Sequence, residues 1–83
     1  MDKSEIEQKL KEMIVERLFL QIEPEAIETA ALLTETYGID SVSLLELVVG
    51  LEEVFGIQVE DGEFDLNNFQ SVAALSNFVS ARL

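Results

Sequence analysis

The chain has 83 residues, a formal net charge of −12 and 48% apolar residues, with no Cys and no His. That length allows one domain, expected to span residues 1–83, and a domain so small buries only roughly 60% of the surface its unfolded chain exposes. The missing Cys and His exclude disulfides, thiolate sites, most zinc sites and the commonest catalytic groups, and they leave every Ser without a His to activate it.

Residues 1–12 are charged throughout and hold no apolar stretch of signal-peptide length, so the expected location is the cytoplasm. Ser4 with Glu7 three residues later reads as a capping box. Ile6, Leu10, Met13, Ile14 and Leu18 follow at helical spacing, which predicts a helix over residues 4–20. Lys9, Lys11 and Arg17 interleave with Glu5, Glu7, Glu12 and Glu16, as on an ordinary solvated face. Between residues 21 and 40, Pro24 and Gly38 interrupt any helix. Ile22, Ile27, Leu32, Leu33, Tyr37 and Ile39 are irregularly spaced there, so a long loop pinned onto the core is expected, with a helical turn around residues 25–32.

Residues 41–55 form the strongest helix pattern. Leu44, Leu47, Val48, Leu51, Val54 and Phe55 make a wide core-facing stripe, and Ser43, Glu46, Gly50 and Glu53 the opposite face. Val42, Leu45 and Val49 lie between the two, and Gly56 is the expected helix stop. The apolar run 44–51, broken by Glu46 and Gly50, is too short to cross a bilayer. A brief extended link at 57–59 and an acidic segment at 60–68, with room for a turn or two of helix, come next. Ser71 caps a last helix whose stripe is Val72, Leu75, Phe78, Val79 and Leu83. The predicted fold is all-α, a small antiparallel bundle of three main helices plus one short helix, with a long loop between the first two.

The five bases are Lys3, Lys9, Lys11, Arg17 and Arg82, so twelve acids and no base lie between Arg17 and Arg82. Such a stretch repels nucleic acid and anionic membrane, which both demand Lys or Arg. It steers instead toward basic protein surfaces. The plainer alternative is that the charge only keeps a small domain soluble. Asp61, Gly62, Glu63 and Asp65 suggest a calcium loop, but Leu66 and Val72 stand where an EF-hand needs Gly and Glu, so no metal site is expected. The aromatics Phe19, Tyr37, Phe55, Phe64, Phe69 and Phe78 are scattered at core-like positions and do not form a base-stacking platform.

The chemistry concentrates in Gly38-Ile39-Asp40-Ser41-Val42. A Ser opening a helix after a Gly-containing loop presents its hydroxyl to solvent. The carboxylate before it is free to meet a cation or a metal-bound substrate. The helix N-terminus favours a phosphate attached there. This suits a Ser modified by another protein and not a self-activating nucleophile. On these five residues alone, Asp-Ser as a simple helix cap is the readier reading.

From Gly-Ile-Asp-Ser-Val through Leu-Leu-Glu-Leu-Val-Val-Gly-Leu-Glu-Glu-Val-Phe-Gly-Ile, and in the order of its helices and loop, the chain resembles the acyl carrier protein family. The resemblance implies a non-enzymatic carrier with 4′-phosphopantetheine, donated by coenzyme A, attached covalently to Ser41. It implies that Asp40 assists recognition by the phosphopantetheinyl transferase. Glu46, Glu52 and Glu53 match acidic positions that bind basic patches on acyl-transferring or synthase enzymes, and Val49 matches an apolar contact beside them. Glu60 and Asp61 lie near the family's acidic third-helix region. Val42 stands where the family usually has Leu, keeping an apolar contact but shortening it. In the family an acyl chain can slip between the helices, and Leu44, Leu47, Val48, Leu51 and Ile57 are the candidates to line such a space here, though they read equally well as plain core. Ser43 stands where many fatty-acid carriers have an acid, which points to a specialised pathway. The rival expectations are a peptidyl or aryl carrier of a nonribosomal or polyketide pathway, and an unmodified acidic module that only binds a basic partner. A monomer is expected.

Overall fold

The computed structural model describes residues 2–83, and all their side chains except those of Asp61 and Leu66. Among the described residues the regular structure is entirely helical. Helix α1 spans Lys3–Leu18, α2 is the single turn Leu33–Thr36, α3 spans Ser41–Phe55, α4 is the short Leu66–Phe69 and α5 spans Val72–Ser80. Single 3₁₀ turns lie at Pro24–Ala26 and Asp61–Glu63. None of these helices is long and apolar enough to cross a membrane.

Helix α1 begins earlier than its capping-box signature suggests. Asp2, not Ser4, is the N-cap: the Glu5 N–H donates to its carboxylate at 2.9 Å. Ser4 therefore sits inside the helix. The helix also ends two residues sooner than expected, because Phe19 turns the chain with φ 54° and ψ 42°. The Phe19 and Leu20 N–H groups both donate back to the Val15 carbonyl there. A left-handed residue is the usual way to close a helix, but Gly normally supplies it, since any Cβ is strained in that region.

The core is built from Ile6, Leu10, Met13 and Ile14 of α1, Leu44, Leu47 and Leu51 of α3, and Val72, Leu75 and Val79 of α5, all buried. Phe69 of α4 is buried with them and contacts Phe64 and Phe78, with ring centroids 5.4 and 5.5 Å apart. Lys3 near the start of α1 donates to Asn77 late in α5 at 2.7 Å. At the other end, Leu18 and Phe19 share a depression with Val42 and Ser43. Helix α1 thus runs antiparallel to both α3 and α5, as the bundle pattern requires.

The long loop is pinned by side chains and backbone together. Ile27, Leu33 and Ile39 are buried, while Ile22 and Leu32 stay exposed. The Leu33 N–H donates to the Gln70 carbonyl at 2.8 Å, and the Ala73 N–H to the Thr29 carbonyl at 2.9 Å. The Tyr37 hydroxyl receives the Glu28 N–H at 2.8 Å. The helical turn expected around 25–32 splits into the Pro24–Ala26 turn and α2, with Pro24 opening the first as its fixed φ favours.

Two positions of α3 invert the expected faces. Gly50, assigned to the solvent side, is buried, and Val54, assigned to the core, is exposed. The cause is close approach: a Cβ on Gly50 would lie 2.6 Å from Met13 Sδ and 2.8 Å from Arg17 Cδ. Helix α1 crosses α3 where a side chain is missing, so α3 is covered on that side as well as toward the core. Leu83 likewise falls outside the α5 stripe and is exposed, because α5 ends at Ser80.

Phe19 is 82% exposed, so replacing it gives up little burial. A non-Gly residue in the left-handed region costs roughly 1–2 kcal/mol, and Gly returns about half of that as unfolded-state entropy. Phe19→Gly should therefore raise the melting temperature, with a gain of roughly 0.5–1 kcal/mol in chemical denaturation. An unchanged or lower stability would mean that the ring contributes packing which its exposure denies.

Candidate functional site

The end of the long loop and the start of α3 bring the expected site together. Ile39 is buried and fixes the chain one residue before Asp40. Gly38, at φ 67°, allows the turn that precedes it. Asp40 has extended backbone and is the N-cap of α3: the Ser43 N–H donates to its Oδ1 at 2.8 Å. Ser41 is then the first helical residue, and it is exposed. The cap reading of Asp-Ser holds at Asp40. Asp40 makes the cap, so the hydroxyl of Ser41 is not consumed in capping.

The Asp40 carboxylate is less free than the sequence suggests, because it is committed to the helix start. Hydrogen bonds from the Ser43 backbone N–H, and next from the Ser43 hydroxyl, hold its carboxyl below the usual carboxylate range. The first-turn amides and the helix dipole make this end of α3 favourable for a phosphate on Ser41.

The acidic positions do not form a row of free carboxylates. Glu46 and Glu53 both engage Arg17 of α1: Nη1 donates to Glu46 Oε1 at 3.1 Å, and Nη2 to Glu53 Oε2. Glu52 is half-buried and accepts the Val59 N–H at 3.0 Å, tying the link after α3 back onto the helix. Glu60 is exposed, and its N–H donates to Glu63 Oε1 at 3.0 Å. The Asp61 side chain lies outside the described residues. Glu63 in turn pairs with Arg82, whose guanidinium stacks 4.4 Å over the Phe78 ring.

Between the acids runs an exposed apolar strip of Val42, Leu45 and Val49, with Val42 73% exposed beside Ser41. Spacings of three and four residues put all three on one side of α3. A shallow depression next to Ser41 is lined by Arg17, Leu18, Phe19, Val42, Ser43 and Glu46. A second opening, lined by Leu32, Thr34, Glu35, Leu44 and Gln70, leads toward the core beside Leu44. Leu44, Leu47 and Leu51 are fully buried, while Val48 and Ile57 pack at the edge of the core. No cluster of three or more metal-ligating side chains occurs among the described residues.

The sequence pattern gives Arg17 and Gly50 no more than a place on a solvated helix face, and it puts Phe19 among the core-like aromatics, whereas Phe19 is 82% exposed. Arg17 reads there as one charge among many on a solvated helix. The only local hint was a Gly inside an otherwise strong helix, a position that usually signals close packing.

The family described as "Phosphopantetheine attachment site" matches residues 8–79 by its sequence profile, nearly the whole chain. An acyl carrier protein of Campylobacter hominis is 36% identical over 59 residues, covering 71% of this chain and 72% of that protein. An acyl carrier protein of Campylobacter curvus is 31% identical over 70 residues, covering 84% of this chain and 86% of that protein. The chain belongs to the acyl carrier protein family. Its cofactor is accordingly covalent 4′-phosphopantetheine. The capped helix start with an exposed hydroxyl fits such a group, since it offers an accessible oxygen and amides suited to the phosphate.

The depressed Asp40 value fixes the pH dependence of the cap. A carboxyl whose folded value lies below its unfolded value of about 3.9 stabilises the fold above that pH, and loses this contribution as pH falls through the folded value. Asp40→Ala should lower the melting temperature at pH 7, and the gap to wild type should close as pH falls below about 4. Thermal melts followed by circular dichroism at a series of pH values measure the gap. A pH-independent gap would assign the loss to something other than the carboxylate.

Proposed function

We propose that Ser41 is the residue that carries the 4′-phosphopantetheine arm, and that the protein presents acyl groups to separate biosynthetic enzymes. The observation that supports this most is the position of Ser41 as the first, exposed residue of a helix whose cap is made by its neighbour Asp40. The arm's terminal thiol supplies the thioester linkage. The rest falls to this chain's own residues. Ser41 offers its oxygen, but with no His or Cys in the chain the base that takes its proton belongs to the phosphopantetheinyl transferase. Asp40 holds the first turn in shape for that enzyme. The protein itself is a carrier, not an enzyme.

Val42, Leu45 and Val49, with Glu46, Glu52, Glu53, Glu60 and Asp61 around them, form the proposed docking face for synthases and acyl-transferring enzymes with basic patches. The base-free stretch from residue 18 to 81 supports attraction to such patches over long range. The opening beside Leu44 is the proposed entrance for an apolar cargo into the bundle. Ser43 supports a specialised pathway, because many fatty-acid carriers of the family have an acid at this position, which would place a second negative charge beside Asp40. Action as a cytoplasmic monomer completes the proposal.

Incubating the apo protein with coenzyme A and a broad-specificity phosphopantetheinyl transferase should add one phosphopantetheine mass to the intact chain. Ser41→Ala should abolish the addition while leaving the helical circular dichroism spectrum unchanged. Modification that persists in Ser41→Ala would move the attachment site elsewhere, and failure of wild type to be modified would contradict the carrier role.

A further inference from the structure

Arg17 lies across α3 at the one position where α3 has no side chain. A Cβ on Gly50 would stand 2.8 Å from both Cδ and Nε of Arg17, so the arginine stem lies there only because residue 50 is Gly. From that saddle the two ends of the guanidinium reach Glu46 and Glu53, which flank Gly50 on neighbouring turns. The hydrogen bond to Glu53 is the main reason why the Arg17 guanidinium titrates above its ordinary value. The arginine side chain is only 23% exposed, whereas its two carboxylate partners are 50% and 63% exposed. The acids thus remain reachable from solvent while an internal cation already occupies them.

Pairs with such exposed partners are weak in net terms and are screened by salt. A partner presenting several bases can take both carboxylates, while a partner presenting one gains little by exchange. Val42, Leu45 and Val49 stay exposed beside the pairs, and Glu52 is held separately by the Val59 N–H, so the competition is confined to Glu46 and Glu53.

We propose that Arg17 is an internal competitor for Glu46 and Glu53, displaced when a partner with two or more bases docks on α3, and that Gly50 is what lets it reach them. Arg17 is therefore a specificity-determining residue: it raises the positive charge a partner must bring before this face is usable. The proposal rests on the carrier reading, because the probe is the phosphopantetheinyl transferase.

The test compares the transferase KM for apo wild type, Arg17→Gln and Lys11→Gln. The last two have equal net charge and both lose one base from α1. Arg17→Gln should lower KM about two- to five-fold relative to Lys11→Gln, with kcat unchanged. The difference should vanish when salt shortens the Debye length to about 3 Å. Gly50→Ala keeps the net charge but crowds the arginine stem, and should shift KM in the same direction if its circular dichroism spectrum remains wild type. Equal KM values for Arg17→Gln and Lys11→Gln would overturn the proposal. A higher KM for Arg17→Gln would overturn it too, and would make Arg17 a direct contact of the partner. If no variant, wild type included, is ever modified, the carrier reading itself fails and this proposal falls with it.

Discussion

A single hydrogen bond, from the Ser43 N–H to the Asp40 carboxylate, decides where α3 begins, and most of the site follows from that start. With the cap one residue earlier than Ser41, the serine becomes the first helical residue and its hydroxyl points to no structural duty. The same start sets the register of α3. Leu44, Leu47 and Leu51 then turn into the core, Val42, Leu45 and Val49 turn outward, and Glu46 and Glu53 reach the neighbouring helix. Ile39, buried just upstream, keeps the loop from sliding along the bundle and shifting that start.

The proposed docking face differs in kind from a solvated row of acids. Two carboxylates are met by Arg17, one is spent on the Val59 N–H, and the apolar strip between them stays uncovered. A protein with net charge −12 attracts basic surfaces from a distance, but close approach depends on which carboxylates can still exchange partners. In the proposed docking, long-range steering and short-range selection are therefore separate, and they fall to different residues.

Much of this was legible in the residue pattern. The bounds of α3, the Gly56 stop and the Ser71 cap of α5 all follow from local rules, and the structure has each of them where those rules put it. The start of α1 was not legible, because Asp2 and Ser4 are both good caps and the helix extends to the earlier one. Its end was hidden by Phe19, which takes a backbone conformation that local preference reserves for Gly. Gly50 and Arg17 were misread for a different reason. Helical periodicity shows which residues share a face, but not that a second helix comes close enough to cover a face with a missing Cβ. Contacts of that kind join residues 33 positions apart and leave no trace in a local pattern.

The central claim is that Ser41, and no other hydroxyl in the chain, holds the arm. Peptide-resolved mass spectrometry of the protein isolated from the cells that make it tests this without a supplied transferase. Phosphopantetheine on the peptide containing Ser41, with fragment ions that place it on Ser41 and not on Ser43, is the result expected. An arm on Ser43 or on any other residue, or a chain that is unmodified in every isolate, would contradict it.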